Sequence, residues 1–166
     1  MVNTQPNNAS YWREFENNQV THSAAHYLMA IDALHGELGY ARATDVADRL
    51  EVTRAAASAA LTQLKKRELV TEDPNRFLLL TDEGRRVVDQ VEQNFRTLSR
   101  FFEEMLGVSP ETSRADACKI EHLMSPETSQ KLLKLVKFLL GDSGRAMLIR
   151  DSLAYLDETT GDPQHD

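Results

Sequence analysis

The chain has one cysteine, Cys118. It lies in Arg114-Ala-Asp-Ala-Cys118-Lys-Ile-Glu121-His122-Leu-Met-Ser125. Cys118, Glu121 and His122 stand at i, i+3 and i+4, so on a helix all three project from one face. A thiolate, a carboxylate and an imidazole converging there form a mixed soft and borderline donor set. Such a set suits a first-row transition metal better than magnesium or calcium. The same spacing also fits a buried cysteine beside a solvated Glu-His pair, and spacing alone leaves both readings open. Two further histidines, His22 and His26, lie one turn apart in an earlier helical stretch. Each read alone is a surface or hydrogen-bonded histidine.

The rest of the chain must position these groups. Its 166 residues are 41% hydrophobic, with only seven glycines and five prolines. That is enough for a packed core, and the composition leans helical. A single cysteine excludes an internal disulfide and fits a reducing, cytoplasmic setting. No apolar run reaches membrane-spanning length, and MVNTQPNNAS carries no secretory signal pattern, so no membrane partner is expected. The net charge of −7 argues against a general nucleic-acid coat. The distribution is uneven, however. Residues 54–67 hold Arg54, Lys65, Lys66 and Arg67 and no acid, which allows a basic face on an acidic body.

The expected fold is mostly α. Residues 1–20 form an N-terminal arm, with 1–10 disordered and Tyr11 to Phe15 a short helical arm. Residues 21–82 form a winged helix-turn-helix and 83–157 an all-helical half; 158–166 are a disordered tail. Ala25, Leu28, Met29, Ile31 and Leu34 stripe a helix from about Thr21 to Leu38, closed by Gly39. Thr44 caps a short helix, Asp45 to Leu50, with Ala47 and Val52 as packing positions around the turn. Thr53 caps a second helix, Arg54 to about Arg67, whose buried stripe is Ala57, Ala60, Leu61 and Leu64. Two short helices so joined make a helix-turn-helix. Thr53, Arg54, Ala56 and Ser58 then face outward, small enough to let the helix sit deep in a major groove of double-stranded DNA. Lys65 adds a basic contact. Leu69 to Glu72 and Phe77 to Leu80 read as two strands about Asp73-Pro-Asn-Arg76, a wing with Arg76 at its tip. A long helix from Thr81 ends at Gly107. Ser109-Pro110 starts the helix carrying Cys118, and Ser125-Pro126 starts another that runs to Leu140. That last helix is apolar over more than one face, so part of it is expected to meet a second chain. Arg145 to Leu156 form a final helix.

Glu37-Leu-Gly-Tyr-Ala-Arg-Ala-Thr-Asp-Val-Ala-Asp-Arg-Leu50, the wing, and Leu80-Thr-Asp-Glu-Gly84 together resemble the winged-helix half of the diphtheria-toxin-repressor and manganese-repressor family. Gly107-Val-Ser-Pro and Asp116 to Ser125 resemble that family's metal-binding and dimerisation half. The likeness spans roughly residues 22–140. It implies a dimeric repressor of metal-homeostasis genes, with a divalent metal joining the first helix to the dimerisation domain and two recognition helices reading a palindromic operator. The SH3-like third domain of longer members is not expected. By the resemblance Cys118, Glu121 and His122 match three ligands of the primary site. The fourth falls at His26, just before Tyr27-Leu28, where other members carry a thioether or a carboxylate. Met29 stands where the manganese type has a second carboxylate. Cysteine at 118 resembles the iron-responding branch. Fe(II) is therefore favoured, with Mn(II), Zn(II), Co(II) and Ni(II) also fitting the donors. The family's second site would fall near Phe95, Arg96, Ser99 and Arg114, which are poor ligands, so one metal per chain, or a different second site, is expected.

Two other classes compete. One is a winged-helix regulator answering to a small molecule or to oxidation of Cys118. The other is a small metal-dependent hydrolase; no glycine-rich phosphate loop or Ser-His-Asp set supports it, and no enzyme activity is expected. The sequence leaves His22, His35 and the N-terminal arm without a role.

Overall fold

The computed structural model describes residues 20–159. The N-terminal arm and most of the tail anticipated above lie outside them. The chain divides into two compact units, Met1–Asp89 and Gln90–Asp166. Among the described residues the architecture is mostly helical with one two-stranded antiparallel sheet, a winged helix-turn-helix followed by an all-helical half.

Helix α1, His22–Leu38, opens on Thr21, whose Oγ1 accepts from the Ala24 N–H at 3.2 Å. It closes on Gly39 in the left-handed region at φ 79°, where a side chain would be strained. Helix α2 covers Ala43–Arg49 and α3 covers Arg54–Lys66. The start of α2 differs from expectation. Its cap is Arg42, whose N–H donates to Asp45 Oδ2 at 3.2 Å, and Thr44 lies inside the helix. The acid three residues on captures the first free N–H and moves the start back by two residues. Thr53 caps α3 as expected, accepting from the Ala56 N–H at 3.2 Å. Between the two helices the Val52 N–H donates to the Ala47 carbonyl, and Glu51 adopts φ 53°. The backbone closes this turn, and Val52 is 36% exposed rather than packed.

Strands β1, Val70–Glu72, and β2, Leu78–Leu80, pair with Val70 opposite Leu80. Asp73 builds the tip: its Oδ1 accepts from the N–H groups of Asn75 and Phe77 at 2.9 and 2.7 Å. Arg76 stands there at φ 64°. His35 Nε2 donates to the Leu78 carbonyl at 2.6 Å and so ties α1 to the wing. The core of this unit is Leu28, Ile31, Val46, Ala57, Leu61, Leu64, Val70, Leu78 and Val88. Burial of these apolar side chains, each worth about 1.5–3 kcal/mol for the larger ones, fixes α3 and the wing on a common base.

Helix α4, Asp82–Arg100, runs out of the wing. Thr81 caps it, with Oγ1 accepting from the Gly84 N–H at 3.0 Å and donating to the Glu68 carbonyl. A Cβ on Gly84 would stand 2.1 Å from the Leu69 carbonyl oxygen, so only glycine permits this approach. A π-helical turn, Phe101–Met105, follows, and Gly107 at φ 66° ends the run. The second unit adds α5, Pro110–Ile120, α6, Pro126–Leu139, and α7, Gly144–Thr159. Ser109 and Ser125 accept from the N–H groups of Thr112 and Thr128, each with proline at the first helical position. Arg150 Nη1 donates to the carbonyls of Leu139 and Gly141, tying α7 to the end of α6.

Candidate metal centre and nucleic-acid interface

Cys118 lies in the last turn of α5, partly buried. The helix stops at Ile120, so Glu121 and His122 lie just past it. Glu121 is its αR cap, with its N–H on the Ala117 carbonyl at 2.9 Å, and His122 follows in the turn. Glu121 therefore keeps helical spacing from Cys118, whereas His122 is set by the turn. Glu121 is 1% exposed. Among the described residues it is the only carboxylate or basic side chain buried to that degree. Burial pushes its carboxyl up to about 7. Burial, and then the charge of Glu121, push the Cys118 thiol up as well. That direction is opposite to the lowered value of reactive, redox-sensing thiols.

The turn bearing Glu121 is held from beneath by a buried polar cluster. Asn94, on α4 and 1% exposed, donates through Nδ2 to the Glu121 carbonyl at 2.6 Å. Its Oδ1 accepts from Gln90 Nε2 at 2.8 Å and from the hydroxyl of Ser129 on α6. Gln90 also donates to Ser129 Oγ at 2.7 Å. Two elements, α4 and α6, are thereby tied to the backbone of one acid. Asn94 continues the buried stripe of Val91 and Leu98. A polar residue at an apolar-stripe position is the signal for it in the sequence.

On α1 His22 is exposed and His26 partly buried. Their rings meet edge to face, with centroids 4.4 Å apart. Desolvation, and then the neighbouring His22, hold the His26 imidazole below its ordinary value. His26 is thus kept neutral, the form that ligates metal. At the positions of the family's second site, Phe95 is partly buried, Arg96 pairs with Glu92 at 3.4 Å and Arg114 is exposed.

In the first unit Thr53, Arg54, Ala56 and Ser58 are all exposed along the start of α3, and Arg76 is exposed on the wing. Lys65 pairs with Glu72 of β1 at 2.5 Å. A cleft of about 460 Å³ lies between α3 and the wing, lined among others by Arg42, Ser58, Thr62, Lys65 and Arg76. Arg42 was not singled out from sequence. Its guanidinium lies 5.3 Å from the Tyr40 ring and 5.1 Å from the Phe77 ring, stacked where α2 begins. No local spacing marks it, because the wing supplies Phe77.

The chain is 30% identical over 131 residues to the HTH-type transcriptional regulator MntR of Geobacillus kaustophilus (strain HTA426), covering 79% of this chain and 92% of that one. It belongs to the diphtheria-toxin-repressor and manganese-repressor family. A second member, the transcriptional regulator MntR of Escherichia coli O6:H1, is 35% identical over 102 residues, covering 61% of this chain and 65% of that one. Residues 81–143 match the iron dependent repressor, metal binding and dimerisation domain, and residues 18–76 match the MarR family. The solved structure of the manganese regulator SloR superposes with a TM-score of 0.61 at 22% identity, covering 69% of this chain. This chain spans 54% of SloR, so SloR is the longer protein. The family consists of DNA-binding, dimerising transcriptional regulators, not enzymes, and this chain is a metal-dependent member of it. Among the described residues no helix is long and apolar enough to cross a membrane.

Proposed function

We propose that this protein is an Fe(II)-activated homodimeric repressor of metal-homeostasis genes in the cytoplasm, with His26, Cys118, Glu121 and His122 as its metal ligands. The observation that carries the reading is the burial of Glu121 beside Cys118. A buried carboxyl costs stability unless a cation compensates it. The donors fit such a cation: a neutral His26, a thiol, a carboxyl and a further imidazole form a nitrogen- and sulfur-rich set. This set favours Fe(II) over Mn(II), and Zn(II), Co(II) and Ni(II) fit the same donors. His26, Cys118, Glu121 and His122 would hold a divalent ion, whose positive charge would favour the deprotonated forms of Cys118 and Glu121.

The protein's own parts do the rest. His26 belongs to the DNA-binding unit, whereas Cys118, Glu121 and His122 belong to the other. Ligands drawn from both units favour one mutual arrangement over all others, and that difference in affinity is the switch. Asn94 holds the Glu121 backbone ready for it. The exposed start of α3 enters the major groove, and Arg54 reaches a base edge or a phosphate. Arg76 contacts backbone phosphate or a minor groove, and Lys65, when released from Glu72, adds a phosphate contact. Leu135, Phe138, Met147 and Leu148, all exposed on α6 and α7, provide the apolar surface for the second copy. Two such copies read a palindromic operator. Domain limits of 21–82 for DNA binding and 83–157 for metal binding and dimerisation follow from the same reading.

The match to the MarR family over residues 18–76 is the ground for a second reading, a winged-helix regulator that answers to a small molecule or to oxidation of Cys118. The raised Cys118 thiol works against its oxidation form. His26→Ala and Cys118→Ala decide between the two readings. Both variants are expected to stay folded and to lose metal-dependent DNA binding. Folded variants that still bind operator on metal addition contradict the ligand assignment.

A further inference from the structure

His22 and His26 stand at i and i+4 on α1, so their side chains leave the same face of the helix one turn apart. Their ring centroids are 4.4 Å apart with the planes at 72°. A ring nitrogen of each lies within 4.8 Å of the other. Two nitrogens sharing one ion at ordinary metal–nitrogen distances lie about 3 Å apart, so small rotations of the two side chains close the gap. The same i, i+4 histidine spacing is what lets one helix grip a metal in zinc-dependent enzymes. The first turn of α1 is also fixed, since Thr21 accepts from the Ala24 N–H at 3.2 Å and holds His22 in helical register.

We infer that His22 is a further metal ligand, and that α1 contributes a bidentate pair of imidazoles, His22 and His26, to the metal centre. The inference rests on the metal centre proposed above and deepens it. One nitrogen added to the His26, Cys118, Glu121 and His122 set moves it further from the oxygen-rich coordination that manganese favours. The pair makes the DNA-binding unit's hold on the ion a chelate rather than a single bond. It also gives the chain a preference for Zn(II), Co(II) and Fe(II) over Mn(II).

The test is anaerobic Co(II) titration of the full chain by visible and near-ultraviolet absorption, for wild type, His22→Gln, His26→Gln and Cys118→Ser. His22 is exposed, so His22→Gln leaves the core intact, and circular dichroism checks this. His22→Gln is expected to weaken Co(II) binding by at least about tenfold and to shift the visible ligand-field bands. The thiolate-to-cobalt band, which Cys118→Ser removes, should persist in His22→Gln. The ratio of Zn(II) to Mn(II) affinity should fall in the same variant. Unchanged cobalt affinity and an unchanged visible spectrum in His22→Gln overturn the inference, while a thiolate band in wild type keeps the centre itself standing. A wild type without a thiolate band sinks the centre as proposed. In that case a cobalt affinity lowered alike by His22→Gln and His26→Gln still upholds the pair, and an affinity unmoved by either ends it.

Discussion

Replacing Glu121 by glutamine should make the metal-free protein more stable and at the same time deaf to metal. Glu121 is 1% exposed, and burial moves its carboxyl from 4.5 to about 7. The folded state therefore holds a proton that the unfolded state releases. Stability contributed by that proton is intact below about pH 4.5 and is lost as pH rises through about 7. At about 1.4 kcal/mol per pH unit, the displacement amounts to about 3 kcal/mol lost by pH 8. Glutamine has nearly the shape of the protonated acid and carries no charge to desolvate. The Asn94 bond is to the backbone carbonyl and survives the change. Urea denaturation with chelator present is the assay, run at pH 5 and at pH 8. Glu121→Gln should lie within about 1 kcal/mol of wild type at pH 5 and exceed it by up to about 3 kcal/mol at pH 8, with a flatter pH dependence. Added metal should stabilise wild type at pH 8 and leave the variant nearly unmoved. A variant no more stable than wild type at pH 8 would refute the reasoning, because the buried charge would then carry no cost.

Asn94→Ala removes the donor to the Glu121 carbonyl and strips Gln90 and Ser129 of a buried acceptor. The expected loss is about 2–4 kcal/mol in the metal-free protein, with metal affinity weakened on the order of 10–100-fold as a readout of positioning; calorimetry that finds metal affinity unaltered would make Asn94 purely structural. Gly84→Ala places a methyl group 2.1 Å from the Leu69 carbonyl, and backbone must move to admit it. Thermal unfolding should show a loss of about 2–3 kcal/mol, whereas a tolerated alanine would mean that the wing and α4 are not held at this distance. Arg76→Ala should weaken binding to all DNA alike and lower the salt slope by about one, while Arg54→Ala should also blur sequence discrimination. Fluorescence anisotropy on matched and scrambled operators measures both, and an Arg54→Ala that keeps discrimination would make Arg54 a phosphate contact only.

Elements set by local chemistry were legible in the sequence. Thr53, Ser109 and Ser125 each precede a helix start and each caps it, and Gly39 and Gly107 end helices in the left-handed conformation. The wing was legible from Asp73-Pro-Asn-Arg76 between two apolar runs. The start of α2 was displaced because Asp45 competes with Thr44 for the cap, and spacing does not rank the two. The α5 end at Ile120 has no marker in the sequence. Asn94 reaches Glu121 from 27 positions away and anchors a turn where the apolar pattern alone continues the helix. The Lys65–Glu72 pair depends on β1 folding back along α3, and the Arg42 stack depends on Phe77 returning from the wing. Such contacts have no period along the chain. The Cys118-x-x-Glu121-His122 spacing marked the candidate centre, but the burial that gives Glu121 its chemistry comes from packing.

The most direct test of the account is operator binding by the chelator-stripped protein, followed by fluorescence anisotropy under anaerobic conditions. Fe(II), Mn(II), Zn(II) and Co(II) are titrated separately against a palindromic promoter fragment. Weak binding without metal and tight binding on Fe(II) addition, at lower concentrations than Mn(II) requires, is the predicted result. Equally tight binding with and without metal would contradict it.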